Sequence, residues 1–597
     1  MKLSKKLLSF LVAVLLVVNT GVLAGCGGND RWGDDITVIT ALSSYKIADT
    51  QWGDDPVSRA ITEKTGIALD IEYTVGDVDE KLGGMIAAGD YPDMILSIDN
   101  YQLASLVRGN ALVDLTQMID EKGDNIKSTF GNSLNAMKFT DDKIYGVNKE
   151  FGTIPTYRDW YIQIQYPVLE ALNFPTIETI ADLKDALSEF MAMPENKDKG
   201  YIPFLAPAGG DSIRHGISNA AMRVAGFQDD GEFYVDPTDL DNIKVEYALT
   251  TDEAKEYLKW MNSMYLDGLL DPESFSLDHE GVTEKVANGK VLCVVEPEWA
   301  LRETEAALKS VDKNMSDKCY AKLPIYLNES VKETSKVCNY DSMGTWKSVI
   351  TKNCKNVEKA FEFLDYMWSE EAQVMCWWGL EGEHYTKVDG KRELNPEILT
   401  QYNTDGDFRT KTGISLYTYF SVGPMVKDSG GEYINPFSTP ATIASAYTAK
   451  DKEILGVYYN KKRDAEIAAG GTEMAEYDAD NVIWSDLWPE AKLSPWGFSW
   501  KMSLPRLSGA VVQPSKALTK IKEEINIVKF QDMVLGSAES FDQKFAAYKS
   551  LCYSDDLIYG LTGGIRPLEA QYEVAITDLL KEWYGDNWKQ ITTDMLS

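Results

Sequence analysis

Carboxylates are the most abundant groups in this chain that could do chemistry, since Asp and Glu together number 93. A glycoside hydrolase needs two of them at a set separation across the sugar. Glu296, which follows the apolar run 291–295 and precedes Pro297, is the one plausible member of such a pair. Chance pairs are common among so many acids, and residues 390–510 lack the regular strand–helix units of a barrel enzyme. A secreted carbohydrate-active hydrolase that uses Glu296 as a catalytic carboxylate is therefore kept as one of two hypotheses for the function, as the alternative to the one reached below.

Nucleophilic catalysis has weaker support. Residues 210–213 read Gly-Asp-Ser-Ile with His215 nearby, which is superficially similar to the nucleophile block of lipase-like serine hydrolases. Such a serine needs a later histidine held by a carboxylate, and neither His279 nor His384 is at that spacing. We interpret the segment as a polar loop after a strand. The chain has no Walker loop, no GxGxxG after a strand and no HExxH, so nucleotide, dinucleotide and zinc-protease functions have no support.

Cys26 is the cysteine with a defined chemical role. Lysines at the start, an apolar stretch over 7–18 and the sequence Leu-Ala-Gly-Cys at 23–26 form a bacterial lipoprotein signal. The cysteine after the cleavage site is the residue that receives diacylglycerol. We predict two segments here: a lipoprotein signal peptide over 1–25 and a lipidated tether over 26–34.

The other six cysteines form no CxxC pair, which excludes a zinc ribbon or a thioredoxin-like site. In an exported protein they could pair as disulfides or stay as buried thiols, and the sequence leaves both open. We expect neither a cofactor nor a metal ion.

The composition describes a large acidic globular protein. The formal net charge of −34 argues against nucleic acid and disfavours a strongly anionic ligand. A length of 597 residues is more than one hydrophobic core normally serves, so two or more lobes are expected. After the signal peptide, no segment approaches 18 consecutive apolar residues, so the lipid alone would hold the protein to a membrane.

The first hundred residues after the tether alternate between strand and helix patterns. Asp55 and Pro56 are a typical helix start. The predicted elements are strand 36–40, helix 56–64, strand 67–73, helix 79–88 and strand 92–98. Further strands are predicted at 201–205, 291–295 and 345–351. This pattern favours parallel sheets covered by helices, in two lobes with a cleft between them. In such sheets ligands lie beyond the carboxyl ends of the strands.

Several segments in order resemble the extracellular solute-binding lipoproteins of bacterial ABC importers, family 1, of the aldouronate- or oligosaccharide-binding type. The strongest match is Ala-Phe-Glu-Phe-Leu-Asp-Tyr at 360–366, continued by Trp-Gly-Leu-Glu-Gly-Glu-His-Tyr at 378–385. The matching pieces span most of residues 20–385, and the other pieces are 23–26, 87–93, 143–146 and 175–179.

The resemblance implies an α/β, two-lobe periplasmic-binding-protein-like (type II) fold with an interlobe cleft and hinge crossings. We expect lobe 1 to comprise 35–150 plus part of 341–400, lobe 2 to comprise 151–340, and 401–597 to complete both. It also implies a non-enzymatic monomer that captures an oligosaccharide or other small carbohydrate by lobe closure for an ABC permease. The predicted location is the outer face of the cytoplasmic membrane, lipid-anchored, in a Gram-positive type of cell.

The chain departs from the family in two places. Residues 165–169 read Gln-Tyr-Pro-Val-Leu where members often have Arg-Lys-Asp-Trp-Leu. Some members carry a calcium loop before the strand at 201. The corresponding residues 194–200 are too few and too rich in lysine to surround a cation with six or more oxygens. We therefore expect no calcium there.

A sugar site needs aromatic planes for the apolar ring faces, with carboxylates or amides for the hydroxyls. The resemblance implies that such residues follow strands and face the cleft. The candidates are Tyr45, Asp99, Asn100, Tyr101, Glu296, Trp299, Trp346, Trp378 and Glu381. Each has a structural alternative: the tryptophans could be core residues, Glu296 a helix cap, and residues 381–385 a turn.

Overall fold

The described residues form fifteen strands, numbered along the chain. The computed structural model describes residues 31–596, except for 45–49, 150, 156–161, 227–232, 237–238, 298–299, 302–303, 307, 309–316, 335–337, 344–345, 421, 423–425, 472–473, 489–491, 494–516 and 559–561. The strands are β1 Thr37–Ser43, β2 Ile67–Tyr73, β3 Met94–Ile98, β4 Gly146–Asn148, β5 Phe151–Pro155, β6 Ile162–Gln165, β7 Phe233–Asp236, β8 Lys244–Tyr247, β9 Cys293–Val295, β10 Tyr320–Ala321, β11 Cys338–Met343, β12 Lys347–Ile350, β13 Tyr385–Val388, β14 Lys391–Leu394 and β15 Lys492–Leu493.

Helices account for most of the remaining regular structure. The α-helices with described bounds are Pro56–Thr65, Val78–Ala88, Asn100–Arg108, Thr116–Lys122, Asp124–Phe130, Tyr166–Ala171, Ile180–Ala192, Ala220–Val224, Asp252–Leu266, His279–Ala287, Glu329–Thr334, Val357–Met367, Glu370–Trp378, Pro396–Thr404, Phe408–Thr412, Pro440–Ser445, Ala449–Ala468, Asn526–Val534, Ala538–Cys552, Arg566–Tyr584 and Trp588–Leu596. None of these helices is long and apolar enough to cross a bilayer.

Sheet 1 has the strand order β2-β1-β3-β12-β4. Strands β1, β2 and β3 are parallel, and β12 runs antiparallel to both β3 and β4. The predicted strand–helix alternation is confirmed here. Its first helix, Pro56–Thr65, begins where the Asp55 side chain accepts the Ser58 N–H and ends at left-handed Gly66.

Sheet 2 has the order β10-β6-β9, with β6 antiparallel to both neighbours. The expectation of a second all-parallel sheet was therefore wrong. Parallel pairing does occur at the bridges Ile202–Val291 and Leu205–Val294, so the sheet is mixed. Antiparallel neighbours do not require the crossover connection that parallel neighbours need, so a local strand–helix pattern does not fix the direction of β6.

Three strands form a separate small sheet of order β15-β11-β5, and two of them connect the larger sheets. Strand β5 follows β4 of sheet 1 and leads towards β6 of sheet 2. Strand β11 returns along it, antiparallel, and leads into β12. The predicted lobe boundaries stay a prediction, although the chain passes between the sheets at these strands.

Segments beyond residue 401 pack against both large sheets. The Tyr417 hydroxyl donates to the Asp55 carboxylate near sheet 1. Near sheet 2, the Tyr166 hydroxyl donates to Asp451, which also belongs to the capping box of helix Ala449–Ala468. Buried Glu569 of helix Arg566–Tyr584 accepts the Tyr247 N–H of hairpin β7–β8. Among the described cysteines, Cys293, Cys354, Cys376 and Cys552 are free thiols.

Candidate functional site

Strand β3 ends in a bulge at Ser97. Ile98 pairs with Lys347 and Ile95 with Val349, so β3 carries one extra residue against β12. Ser97 takes up the mismatch with a φ of 59°, a left-handed conformation that is strained for a residue with a Cβ. The Ser44 hydroxyl donates to its carbonyl. The bulge changes the direction in which the residues that follow it leave the strand.

Asp99, directly after β3, is held in place by a capping box. Its carboxylate accepts the Gln102 N–H at 2.8 Å, and the Gln102 side chain accepts the Asp99 N–H at 3.1 Å. Gln102 also donates to Asp79 at 2.9 Å. Burial raises the pKa of Asp99, with the nearby Asp79 charge adding to the shift, while bonds from helix amides and the charge of Lys347 oppose it. The cap fixes helix Asn100–Arg108, whose first turn carries Tyr101.

Lys347 opens β12 between β3 and β4, opposite Ile98 and Asn148. It shares a sheet face with Val349, the face that packs against helices Val78–Ala88 and Asn100–Arg108. Its side chain is fully buried, and burial lowers its pKa to about 7, with Asp99 opposing the shift. A buried amine therefore lies under the end of sheet 1.

Two aromatic side chains are exposed at this same end. Tyr101 is 47% exposed and Trp346, one residue before Lys347, is 36% exposed. The Trp346 carbonyl accepts the Lys149 N–H at 2.7 Å, which fixes the start of β12 against the end of β4. We call the group Asp99, Asn100, Tyr101, Asn148, Trp346 and Lys347 the sheet-1 edge. Since β5 leaves and β11 returns at this edge, it lies on the side of sheet 1 from which the chain crosses to sheet 2.

Glu296 lies at the corresponding end of sheet 2. It follows β9, whose last residue Val295 pairs with Ile162 at the start of β6, where the crossing chain enters. The Glu296 carboxylate is buried, 3.7 Å from Nδ1 of His279, and Gln163 donates to the Glu296 carbonyl. Position 209 nearby requires glycine, because a Cβ there would meet the Ser276 and Leu277 backbone within 2.8 Å.

The structure places Trp378 and Glu381 elsewhere. Trp378 is buried, its indole N–H donates to the Tyr433 carbonyl at 3.1 Å, and the Arg392 guanidinium lies over its ring at 5.1 Å. Glu381 is exposed and pairs with Lys387 at 3.0 Å. It belongs to a turn in which the Leu380 N–H donates to Nδ1 of His384. The contacts of Trp378 are those of a core residue, and the contacts of Glu381 are those of a turn, which are the structural alternatives that the sequence left open.

Three predicted functional residues lie outside the described part of the chain: Cys26, Tyr45 and Trp299. Of the other candidates, the structure brings Asp99, Asn100, Tyr101 and Trp346 together at one edge and puts Glu296 at the end of the other sheet. Their role in binding stays a prediction.

Sequence reasoning missed Lys347, Asn148 and Ser97, and it considered His279 only as the partner of a catalytic serine, not as a neighbour of Glu296. The signal for the first two was a polar residue at the end of an otherwise apolar strand. Ser97 and His279 gave none, because a bulge and a tertiary contact have no local pattern. Within the described residues there is no cluster of three or more His, Cys, Asp or Glu side chains that could hold a metal ion.

Comparison with known proteins places the chain in a family. Residues 57–382 match the model for bacterial extracellular solute-binding proteins. The chain belongs to this family. It is 24% identical over 416 residues to the fructooligosaccharide ABC transporter substrate-binding protein FusA of Streptococcus pneumoniae, a match covering 62% of this chain and 71% of FusA. It is 24% identical over 264 residues to lipoprotein LipO of Bacillus subtilis, covering 42% of this chain and 51% of LipO. The chain covers between 51% and 71% of its curated relatives, and less than two thirds of two of them.

Solved structures of other solute-binding proteins share the fold. An HMO-binding, ABC-transporter-associated solute-binding protein from Bifidobacterium longum infantis superposes with a TM-score of 0.61 at 14% identity, covering 94% of this chain and 100% of that one. FusA in complex with kestose superposes with a TM-score of 0.56 at 16% identity, covering 93% and 100%. The fold is therefore the two-lobe, type II periplasmic-binding-protein-like architecture that the sequence predicted.

Proposed function

We propose that this solute-binding protein captures an oligosaccharide, or another small carbohydrate, between its lobes and delivers it to an ABC importer without chemistry on the solute. The observation that carries the proposal is the sheet-1 edge. There the exposed rings of Tyr101 and Trp346 lie at the same sheet end as the half-buried Asp99 carboxylate and the buried Asn100 and Asn148 amides.

This combination suits a sugar better than other small solutes. A pyranose or furanose ring has an apolar face that packs on an aromatic plane, and a rim of hydroxyls that donate to carboxylates and accept from amides. Asp99 supplies the carboxylate, and Asn100 and Asn148 supply amides. An exposed tyrosine and an exposed tryptophan leave the apolar faces of two sugar residues room to pack.

The positions of the two sheet ends support closure of the lobes around the solute. Glu296 lies at the crossing end of sheet 2, as Trp346 does in sheet 1. A solute that contacts the ends of both sheets stabilises the closed form over the open form. In the open form the solute contacts only one of the two sheet ends. Tyr45 and Trp299 are proposed further contacts on the two sides.

The relatives support the cargo class and the mode of attachment. FusA is described as a fructooligosaccharide-binding protein and LipO as a lipoprotein. We propose that Cys26 carries the lipid, that the protein works as a monomer on the outer face of the cytoplasmic membrane, and that the permease subunits receive the solute from the closed form.

A thermal-shift screen followed by calorimetry tests the proposal. The protein from residue 27 is screened against kestose and other neutral oligosaccharides, oligouronates, peptides and small metabolites. A saturable rise in Tm with a neutral oligosaccharide, with the compound recovered intact by chromatography, is the expected result. A peptide that binds in place of every sugar would contradict the cargo. Conversion of the bound sugar into products would instead favour a hydrolase that uses Glu296.

A further inference from the structure

Lys347 is fully buried, and the capture of a solute does not by itself explain why a lysine lies there. A lysine side chain fully buried in a sheet is costly, because its ammonium loses its hydration. Its neighbours in the chain and in the sheet are Trp346, Ile98 and Asn148, so it lies under the exposed edge. A methionine or leucine would fill such a space at lower cost. The presence of the amine at this point therefore calls for a role.

The charges around Lys347 set its protonation. Asp99 follows the paired strand β3, and the charge of Asp79 on helix Val78–Ala88 raises the pKa of Asp99. From the other elements, Lys149 follows β4, and Tyr419, whose hydroxyl contacts Tyr73, belongs to the segment that packs on β12. Of these groups, Asp99 is the one whose charge acts on Lys347, and burial outweighs it. The amine is therefore divided between its two forms near neutral pH.

Resting on the proposed function, we propose that solute binding at the sheet-1 edge drives Lys347 from ammonium to neutral amine, with the proton released to solvent, and that this favours neutral over acidic sugars.

Two physical effects act in the same direction. Lobe closure excludes water above the edge, which penalises a buried ammonium further. A neutral Lys347 also leaves the Asp99 carboxylate uncompensated, and such a carboxylate is a stronger acceptor for a sugar hydroxyl than one paired with a cation. An acidic sugar is disfavoured when Lys347 is neutral, because Asp99 and Asp79 then repel the carboxylates of the sugar. Binding of an acidic sugar would need Lys347 in its ammonium form.

The closing experiment counts protons by calorimetry. Kestose, or whichever neutral oligosaccharide of the screen raised the Tm, is titrated at pH 6, 7 and 8 in pairs of buffers with different ionisation enthalpies. We expect release of about half a proton at pH 7 and binding about tenfold tighter at pH 8 than at pH 6, because only the neutral fraction of Lys347 binds without releasing a proton. Binding with no proton exchange at any pH overturns the inference alone. No heat with any sugar overturns the proposed function, and with it this inference.

Two variants test whether the proton released on solute binding comes from Lys347 with its neighbour Asp99. Lys347→Met removes the titrating group, so the binding that this variant retains should show neither proton release nor the pH dependence. Asp99→Asn, which keeps a side chain suited to a helix cap, lowers the pKa of Lys347 further and so reduces proton release at pH 7; it covers the case in which Lys347→Met does not fold. The matched control is Asp77→Asn, the same exchange at the exposed cap of helix Val78–Ala88, which leaves proton release unchanged. Wild-type proton release in both Lys347→Met and Asp99→Asn would assign the proton elsewhere.

Discussion

Lys347 pairs with Ile98 on one side and with Asn148 on the other, and this register puts Trp346 beside the turn that leads into Tyr101. A shift of one residue would turn the buried amine to the other face of the sheet. The two exposed rings, the capped carboxylate and the buried amine are thus fixed by one strand pairing, although they come from distant parts of the chain.

Removing either exposed ring tests the sheet-1 edge. Trp346→Ala and Tyr101→Ala should each weaken oligosaccharide binding by about 1–2 kcal/mol, or about tenfold, because each removes an aromatic plane from the solute. Isothermal calorimetry measures the change. Val574→Ala, which truncates a 62%-exposed side chain on helix Arg566–Tyr584, is the control and should bind as the wild type does. Wild-type affinity in both aromatic variants would place the site elsewhere.

The carboxylate of sheet 2 is tested in the same way. Glu296→Gln keeps the size of the side chain but removes the charge that faces His279. If Glu296 accepts solute hydroxyls in the closed form, affinity should fall by about 1–3 kcal/mol, since a charged acceptor is replaced by a neutral amide. Calorimetry on Glu296→Gln and on Glu170→Gln, a change at an ion pair with Lys450, separates a local effect from a general one. Equal affinities in the two variants would remove Glu296 from the site.

The bulge at Ser97 gives a test of geometry. Glycine adopts a φ of 59° without strain, and the Ser97 hydroxyl is buried without a hydrogen-bond partner in the described structure. Ser97→Gly should therefore stay within about 1 kcal/mol of the wild-type free energy of unfolding. Ser97→Val should cost about 2–3 kcal/mol and weaken binding, because a β-branched residue resists this conformation and would displace Asp99. Urea denaturation of both variants measures the difference; equal stabilities would mean that the bulge is not strained.

Local patterns predicted most of sheet 1, and tertiary contacts explain the rest. Asp55, Pro56 and Gly66 mark a helix by chemistry that acts within one turn, so β1, β2 and the helix between them were found. Helix Ala449–Ala468 was missed because much of its surface is polar. Its lysines bond to distant groups instead, such as Lys450 to Glu170 and Lys462 to the Trp488 carbonyl.

The residues that the structure brings to the sheet-1 edge were named only in part from the sequence. Tyr101 and Trp346 were named because a sugar-binding family suggests aromatic residues after strands, and their role in binding stays a prediction. Lys347 was missed because a buried lysine depends on an acid that is far away in the chain. The expected parallel course of sheet 2 failed since a local strand–helix pattern does not fix the direction of β6.

Trp378 and Glu381 should affect stability and binding differently from the edge residues. Trp378→Phe removes the donor to the Tyr433 carbonyl and part of the surface under Arg392, and should cost about 1–3 kcal/mol of stability while leaving affinity unchanged. Glu381→Gln breaks an exposed ion pair with Lys387 and should change neither quantity. Calorimetry and urea denaturation measure the two effects. A loss of affinity in a variant with wild-type stability would return the residue to the binding site.

The stability of the solute-free protein should depend on pH through Lys347. Its pKa is about 7 in the folded protein against 10.5 for an ordinary lysine, so between these values the unfolded chain binds more protons than the folded one. Stability from this group therefore rises with pH from about 7 to 10, by at most about 1.4 kcal/mol per pH unit, and is constant below pH 6. Urea denaturation at pH 6, 8 and 9.5 of the wild type and of Lys347→Met isolates the contribution. The difference in free energy of unfolding, wild type minus Lys347→Met, should shift in favour of the wild type as the pH rises. A difference that stays constant from pH 6 to 9.5 would mean that Lys347 keeps an ordinary pKa, and its burial would then have to be compensated by Asp99 at every pH.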